Sequence, residues 1–242
     1  MSLNTLLTPW YRRTNAANDA TDTKPGSTAP TRILDHGSAP IERLTERARN
    51  AAHSPEALAV LESAHAIIRD EVRAVYAMEE NTPASRTLSR GYGSCSQRLA
   101  ILESVSRSIG VATRVRALLI DRSFWYPRFP RLAFAMPDRV LLVWPEFGVD
   151  GWRSASELFG PIGCRGGTTF TNHGAETLFE AVGRCAIDWD GHSADSPFDL
   201  SRFVRADYGH FSNRDDAFRS LGQTLCTPVR AIADPILRRI AA

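Results

Sequence analysis

The sequence lacks the features that mark membrane, secreted and nucleic-acid-binding proteins. No apolar run approaches the roughly 20 residues that a membrane-spanning helix needs. The 29 lysine and arginine residues form no consecutive block that would follow a phosphate backbone. The opening residues have no charged segment ahead of an apolar one, so they do not resemble a signal peptide. We therefore expect a cytoplasmic protein that binds neither membrane nor nucleic acid.

Cysteines are few and widely spaced, at Cys95, Cys164, Cys185 and Cys226. This spacing fits neither a disulfide framework nor a CxxC site, and thiols in the cytoplasm are expected to be free. A metal site built from Cys164, His173 and Cys185 lacks a fourth ligand and the short paired spacing typical of zinc. The sequence also has no glycine-rich phosphate loop and no dinucleotide-binding motif. We therefore predict no metal and no cofactor.

The length and composition predict one main core. A chain of 242 residues with 43% hydrophobic content is long enough for one catalytic domain with a smaller extension. Residues 15–31 are small, polar and interrupted by proline, which is typical of a disordered segment. We predict a flexible tail over residues 1–32, a core over 33–160, and an extension over 161–242 that packs on the core.

Helical patterns dominate the first part of the predicted core. Ser54 is a candidate N-cap, with Pro55 at the first helical position and Glu56 behind it. The apolar positions that follow recur at steps of three and four, which predicts one buried helical face: Leu58, Leu61, Ala64, Ile68 and Val72. Asn81–Pro83 interrupts this pattern, and we predict a polar linker from there to Gly91.

A second helix is predicted to begin at Cys95, and strands follow it. Its apolar face comprises Leu99, Leu102, Val105 and Ile109, and Gly110 stands where a left-handed C-cap is expected. Residues 113–120, 139–147 and the region of Trp152 have the composition of strands. Short helical patterns recur at 177–182 and 215–225. The order of these elements predicts an α+β fold with an antiparallel sheet.

The position of Cys95 gives its thiol two possible roles. The start of a helix presents free backbone N–H groups and the positive end of the helix dipole, which favour the thiolate. The same N–H groups can stabilise the oxyanion that forms when a thiolate attacks a carbonyl. A cysteine is, however, also a common small buried hydrophobe, so position alone leaves both roles open.

Two motifs resemble landmarks of the transglutaminase-like superfamily, whose core is papain-like. The stretch GYGSC at 91–95, followed by SIGVATRVRALL at 108–119, is similar to that family's cysteine motif. The stretch LVWPEFGVDGW at 142–152 is similar to its H-x-W-x-E strand and the G-x-W hairpin after it. The resemblance covers roughly 91–159. It implies a transglutaminase-like core, with N-terminal helices packed on a short antiparallel sheet, and Cys95 as the nucleophile.

The resemblance also implies a substrate class. A transglutaminase-like cysteine enzyme would take a small-molecule or peptide acyl substrate, and this chain's role is expected to be biosynthetic. We take five residues near the two landmarks as candidates for substrate binding: Tyr92, Gln97, Trp144, Glu146 and Trp152.

The sequence departs from the family at two of the three catalytic positions. When Trp144 and Glu146 are aligned with the family pattern, its histidine falls on Leu142 and its aspartate falls near Ser156. Glu157 could stand in for the aspartate, but it would have no histidine to orient. Of the catalytic triad, only Cys95 is retained.

A replacement base could come from elsewhere in the chain. His173, His192 and His210 lie in the predicted extension, from which a loop could reach the thiol. For each of them a structural or surface role is commoner than a catalytic one. The three histidines before the core motif are expected to face solvent: His36, His53 and His65.

Two further segments have alternative interpretations. The aromatic stretch FWYPRF at 124–129, with the tryptophans of the hairpin, could wall an apolar cleft or pack within the hairpin. The stretch 199–218 mixes both charges with aromatics, and we predict a solvated helix and loop there.

Two functional hypotheses remain open at this point. The first is an enzyme that forms a thioester on Cys95 and obtains proton transfer from a non-family group or from the substrate. The second is a pseudoenzyme that keeps the fold as a binding or scaffold module.

Overall fold

The computed structural model of the chain describes residues 24–129, 136–160, 169–191 and 198–239. Within these ranges the chain forms seven α-helices, two short 3₁₀ helices and six strands. The α-helices are α1 (Ala39–Ala51), α2 (Ala57–Glu71), α3 (Ala84–Arg90), α4 (Cys95–Ser108), α5 (Leu178–Val182), α6 (Arg214–Leu221) and α7 (Thr227–Leu237). The strands are β1 (Arg73–Ala74), β2 (Tyr92–Gly93), β3 (Thr113–Asp121), β4 (Arg139–Gly148), β5 (Trp152–Ser154) and β6 (Val204–Phe211). The 3₁₀ helices span Arg122–Trp125 and Ser201–Phe203.

The central sheet has four antiparallel strands in the order β5-β4-β3-β6. Strands β3 and β4 pair along their whole length, from Thr113 opposite Phe147 to Asp121 opposite Arg139. The predicted α+β class and the predicted pairing of these two segments are confirmed. None of the helices in the described ranges has the length and apolar character that crossing a membrane requires.

Both faces of the sheet are covered, by different parts of the chain. Side chains alternate between faces along a strand. Val115 and Val143 face one way, into a cluster that includes Ala100 of α4. Trp144 faces the other way and meets Trp189, with the two ring centres 5.5 Å apart. Helix α4 therefore lies on one face, and chain beyond the predicted core lies on the other.

Helix α4 has the predicted limits, whereas α2 begins later than predicted. Cys95 is the first residue of α4, and Gly110 has the left-handed φ of +86° that was expected of a C-cap. Helix α2 starts at Ala57 with Glu56 as its N-cap. The Ser54 hydroxyl instead accepts a hydrogen bond from Glu56 N at 3.3 Å, within a turn that precedes the helix. The predicted face of α2 is buried except at Leu58, which is partly buried against the core.

The predicted polar linker before Gly91 is wrong, because residues 84–90 form helix α3. Ala84 and Thr87 are fully buried, and Asp35 Oδ1 accepts a hydrogen bond from Ser85 N at 3.0 Å. With only seven residues, α3 depends on these tertiary contacts, because an isolated helix of that length is not stable in water. A stretch of seven residues is also too short to show the apolar periodicity from which a helix is predicted.

The prediction of a solvated helix and loop packed on the core over 199–218 is wrong over 204–211, whereas a helix is present from Arg214. Residues 204–211 form β6, the edge strand that pairs with β3. Helix α6 follows from Arg214 and ends at Leu221, before the predicted limit of 225. The short helix predicted at 177–182 is present as α5, and its N-cap is Thr177.

The sheet continues across the predicted boundary between core and extension. Strand β6 lies beyond residue 160, yet it hydrogen-bonds to β3 in the middle of the predicted core. At the other end of the chain, Ser27 N donates to Thr113 O at 2.9 Å and Thr113 N donates to Ser27 O at 3.1 Å. Residues 24–32 therefore contact the sheet and do not belong to a flexible tail. The earlier part of the predicted tail, residues 1–23, lies outside the described residues.

Candidate active site

The two glycines and the serine of the GYGSC stretch shape the turn that presents the thiol. Gly91 ends α3 in the left-handed conformation, with φ +70°. A side chain at Gly93 would place a Cβ atom 2.6 Å from Thr87 Cγ2, so only glycine fits there. Ser94 is the N-cap of α4, and Cys95 is its first helical residue. The turn thus places the thiol at the start of the helix.

The capping interactions at Ser94 leave two backbone amides beside the thiol without acceptors. The first N–H groups of a helix have no intrahelical partner. Gln97 N donates to Ser94 Oγ at 3.2 Å, and Ser94 N donates to Gln97 Oε1 at 3.1 Å. No acceptor among the described residues takes the amides of Cys95 and Ser96. Two adjacent N–H donors at a nucleophile form an arrangement that can hold an oxyanion.

The Cys95 side chain lines a cavity of about 410 Å³. This volume is in the usual range for small-ligand sites. Most of the wall is apolar, and three aromatic residues of the stretch 124–129 contribute to it. The apolar side chains come from the chain before α3, from the 3₁₀ helix after β3 and the chain that leads from it into β4, from the start of α5, and from α7 and the residues before it: Val75, Ala77, Met78, Phe124, Trp125, Phe129, Met136, Pro137, Val140, Leu141, Leu142, Leu178, Leu225, Ala233, Ile236 and Leu237.

Leu142 lines the same cavity as Cys95, at the position where the family pattern has its histidine. Within the part of the chain that the structure describes, no histidine lines this cavity. His173 is exposed on a loop, and His210 lies in a different cavity. His192 falls outside the described residues. The cavity that Cys95 lines is therefore apolar at the position of Leu142.

A carboxyl group that the sequence analysis did not identify also faces this cavity. Glu80 Oε2 accepts a hydrogen bond of 2.6 Å from the hydroxyl of Ser96, the residue next to Cys95. The hydroxyl of Ser96 in turn accepts a bond of 2.8 Å from Arg214 Nη1. Burial raises the pKa of Glu80 above its ordinary value, although Ser96 and Arg214 act in the opposite direction.

Tyr76 and Arg128 add polar groups to the cavity wall. Burial raises the pKa of Tyr76, while the neighbouring Arg128 lowers it and the charge of Cys95 raises it. Tyr76 and Cys95 line the same cavity. Arg128 is fixed by its Nε, which donates to Asn172 Oδ1 at 2.9 Å.

A short parallel strand pair brings these residues to the thiol. Strand β1 pairs with β2, and Val75 N donates to Gly93 O at 3.1 Å. The chain that follows β1, with Tyr76 and Glu80, thus runs beside the turn that leads into α4. Neither residue has a sequence spacing from Cys95 that signals this, because the contact depends on a pairing of only two residues in each strand.

Three of the five predicted binding residues line a second cavity, of about 190 Å³. Glu146 Oε2 accepts from Arg114 Nε at 2.6 Å, and Glu146 Oε1 lies 3.0 Å from His210 Nε2. Burial alone would raise the pKa of Glu146, but His210 and Arg114 outweigh it and hold the pKa below its usual value. Trp144 and Trp152 line this cavity too, and Arg114 lies over the Trp152 ring.

The two cavities use different parts of one strand face. Leu142 lines the first cavity and Glu146 lines the second, four residues further along β4. Four residues of extended strand span about 13 Å. The structure therefore separates Trp144, Glu146 and Trp152 from the thiol with which the sequence analysis grouped them.

The other two predicted binding residues support the turn that carries the thiol. Gln97 is buried, and its Nε2 donates to Glu79 O at 2.7 Å in addition to its capping bond. The guanidinium carbon of Arg90 lies over the Tyr92 ring, 4.6 Å from the ring centre. Neither side chain lines the cavity that contains Cys95.

Metal ligands do not cluster in the described ranges, where no group of three or more histidine, cysteine or acidic side chains could hold an ion. Of the residues considered for a metal site, Cys185 is fully buried in the main core. Cys164 lies outside the described residues.

Comparison of the chain with models of known families, with curated proteins and with solved structures found no match.

Proposed function

We propose that this protein transfers an acyl group through a thioester on Cys95, and that its sheet and α4 form a transglutaminase-like core. The observation that carries the proposal is the placement of Cys95, at the start of α4 and in the wall of a cavity of about 410 Å³. The thiol thus combines helix-start N–H groups with a space that can hold a substrate.

The amides of Cys95 and Ser96 suit the tetrahedral intermediate of acyl transfer. The sulfur of Cys95 loses its proton and attacks the acyl carbon, the carbonyl oxygen becomes an oxyanion, and the two N–H groups stabilise it. The leaving group then departs and a thioester remains. Attack by an amine gives an amide, attack by an amine of the same molecule gives a cyclic product, and attack by water gives hydrolysis.

The cavity wall favours an apolar acyl group. The aromatic residues Phe124, Trp125 and Phe129 and the leucines of β4 offer little to a charged substrate. Each methylene group that enters such a wall contributes about 0.8 kcal/mol of transfer free energy. A small-molecule or peptide substrate would therefore present an alkyl or aromatic acyl group to Cys95. We place this reaction in biosynthesis, in the cytoplasm.

A second candidate function is a binding module without catalysis. The observation in its favour is the apolar Leu142 at the family's histidine position, in a cavity where no described residue is a histidine. Such a module would hold an apolar ligand in the same cavity without covalent bonding.

The test uses p-nitrophenyl hexanoate as acyl donor. The wild-type protein should release a burst of p-nitrophenolate equal to its concentration, with hydrolysis of the acyl-enzyme afterwards. Cys95→Ala should lower the rate at least about a thousand-fold, because the nucleophile is lost. Cys226→Ala is the matched control, since Cys226 is also partly buried but lies outside the cavity. A Cys95→Ala variant with the wild-type rate would overturn the proposal, and binding of the probe without acylation would favour the binding module.

A further inference from the structure

The described wall of the Cys95 cavity contains no histidine, but it contains the carboxyl group of Glu80, a group that can accept and donate protons. Glu80 and Cys95 line the same cavity. One carboxyl oxygen, Oε2, accepts from Ser96, the second residue of α4. The Cys95 thiol and the Glu80 carboxyl thus line the same cavity. The residue that donates a hydrogen bond to Glu80, Ser96, is the direct neighbour of Cys95 in α4.

The other carboxyl oxygen of Glu80 is uncommitted. Among the described residues the Glu80 carboxyl has one hydrogen bond, through Oε2, and Oε1 is not among the buried atoms that lack a partner. Glu80 lines the cavity, and its Oε1 accepts no hydrogen bond from the described residues, which leaves this oxygen available as a proton acceptor. An oxygen in this position can exchange a proton with a bound substrate.

The surroundings hold Glu80 in place from several sides. Its backbone N donates to Gln223 Oε1 at 2.8 Å. Arg214, which bonds Ser96, is itself paired with the buried Glu103. The backbone of Glu80 is therefore held by the loop before α7, and its carboxyl group is held by Ser96 of α4, which Arg214 of α6 supports.

The charges that face Glu80 favour a proton-exchanging carboxyl. Glu79 and Asp234 raise its pKa and Arg214 lowers it, while burial is the largest effect and raises it. The raised pKa of Glu80 brings its basicity towards that of a thiol. A general acid or base works best when its pKa lies near the working pH.

Resting on the proposed function, we propose that Glu80 is the proton-transfer group of the site and replaces the missing histidine. Glu80 accepts the proton of Cys95 Sγ as the bond from sulfur to the acyl carbon forms. When the bond from that carbon to the leaving group breaks, Glu80 donates this proton to the leaving group. In the second half, Glu80 accepts a proton from the attacking water or amine and returns it to sulfur as the C–S bond breaks.

The experiment compares two hexanoyl donors, the p-nitrophenyl ester and the amide of 7-amino-4-methylcoumarin. The p-nitrophenolate group leaves as a stable anion, whereas the aminocoumarin must be protonated as it leaves. Glu80→Gln should therefore lower the ratio of amide to ester acylation rates by about 100-fold or more. Because both rates depend equally on the folded fraction, partial unfolding of the variant does not change this ratio.

Three further variants complete the experiment. Glu80→Asp keeps a carboxyl and should recover part of the ratio. Glu71→Gln is the matched control, because Glu71 is a partly exposed carboxyl paired with Arg47 and outside the cavity, and its ratio should equal that of the wild type. An unchanged ratio in Glu80→Gln would overturn the role of Glu80 while leaving Cys95 acylation intact. Loss of the proposed function itself would appear separately, as Cys95→Ala with the wild-type ester rate.

Discussion

Cys95 differs from the other cysteines of the described chain by its access to a cavity. Cys185 is fully buried in the core. Cys226 is partly buried and is the N-cap of α7, but it lines no cavity described above. Cys95 alone combines the first position of a long helix, two free amides and an open cavity wall. These surroundings make Cys95 accessible to a reagent and place two N–H donors beside its sulfur.

Alkylation by iodoacetamide should therefore modify Cys95 first among the four cysteines of the native protein. Peptide mass spectrometry at short reaction times measures the order of labelling. Cys185 should stay unmodified until the protein unfolds, because no reagent reaches a fully buried side chain. Faster labelling of Cys226 than of Cys95 would indicate that Cys95 behaves as a packed hydrophobe.

At the residue scale, local signals in the sequence locate the candidate nucleophile Cys95 but not its neighbours. The GYGSC turn identifies Cys95 because a cap, two glycines and a helix start are all encoded within a few residues. The apolar wall at Leu142 follows from a motif that spans a single hairpin. Glu80 and Tyr76 carry no such signal, because the two-residue pairing of β1 with β2 brings them to the site. The assignment of Trp144 and Glu146 to substrate binding beside the thiol assumed one cavity where the structure has two.

At the scale of the element, the N-terminus of α4 is stabilised by its capping box. Ser94 and Gln97 satisfy each other's amides. The N-terminus of α1 offers a contrast, since its N-cap Ser38 makes no side-chain capping bond and its hydroxyl is buried without a partner among the described residues. Both serines are N-caps, but the Ser94 hydroxyl accepts a capping hydrogen bond, whereas the Ser38 hydroxyl has no partner among the described residues.

Ser94→Ala should lower the free energy of unfolding by about 1 kcal/mol, because the cap of α4 is lost. Ser38→Ala should leave it unchanged or slightly higher, because it removes a buried hydroxyl that has no partner. Urea unfolding followed by circular dichroism measures both. An equal loss in the two variants would contradict the capping geometry described for α4.

Elements whose structural signals lie within their own sequence were predicted, and elements that depend on contacts with distant residues were missed. Helix α4 and strands β3 and β4 have their caps, periodicity and turns in their own sequence, and they were predicted closely. Strand β6 was missed because its residues alternate irregularly, and its pairing with β3 shifts register twice. Helix α3 was missed because its stability comes from buried contacts with distant residues.

At the scale of the whole molecule, the cavity is built from segments on both sides of the predicted domain boundary. Cys95 and the start of β4 belong to the predicted core, while Leu178, Leu225 and the residues of α7 belong to the predicted extension. Asp234 of α7 accepts bonds from the backbone amides of Met78 and Glu79, at 2.7 and 3.1 Å. The extension therefore completes the site, which composition alone does not reveal.

The central claim is that Cys95 carries the acyl group during turnover. The most direct measurement is to mix the wild-type protein with p-nitrophenyl hexanoate, quench in acid during the burst, digest the protein and sequence its peptides by mass spectrometry. The account predicts one hexanoyl group, attached to the peptide that contains Cys95, and its loss in Cys95→Ala. A hexanoyl group on any other residue, or a burst without a modified peptide, would contradict it.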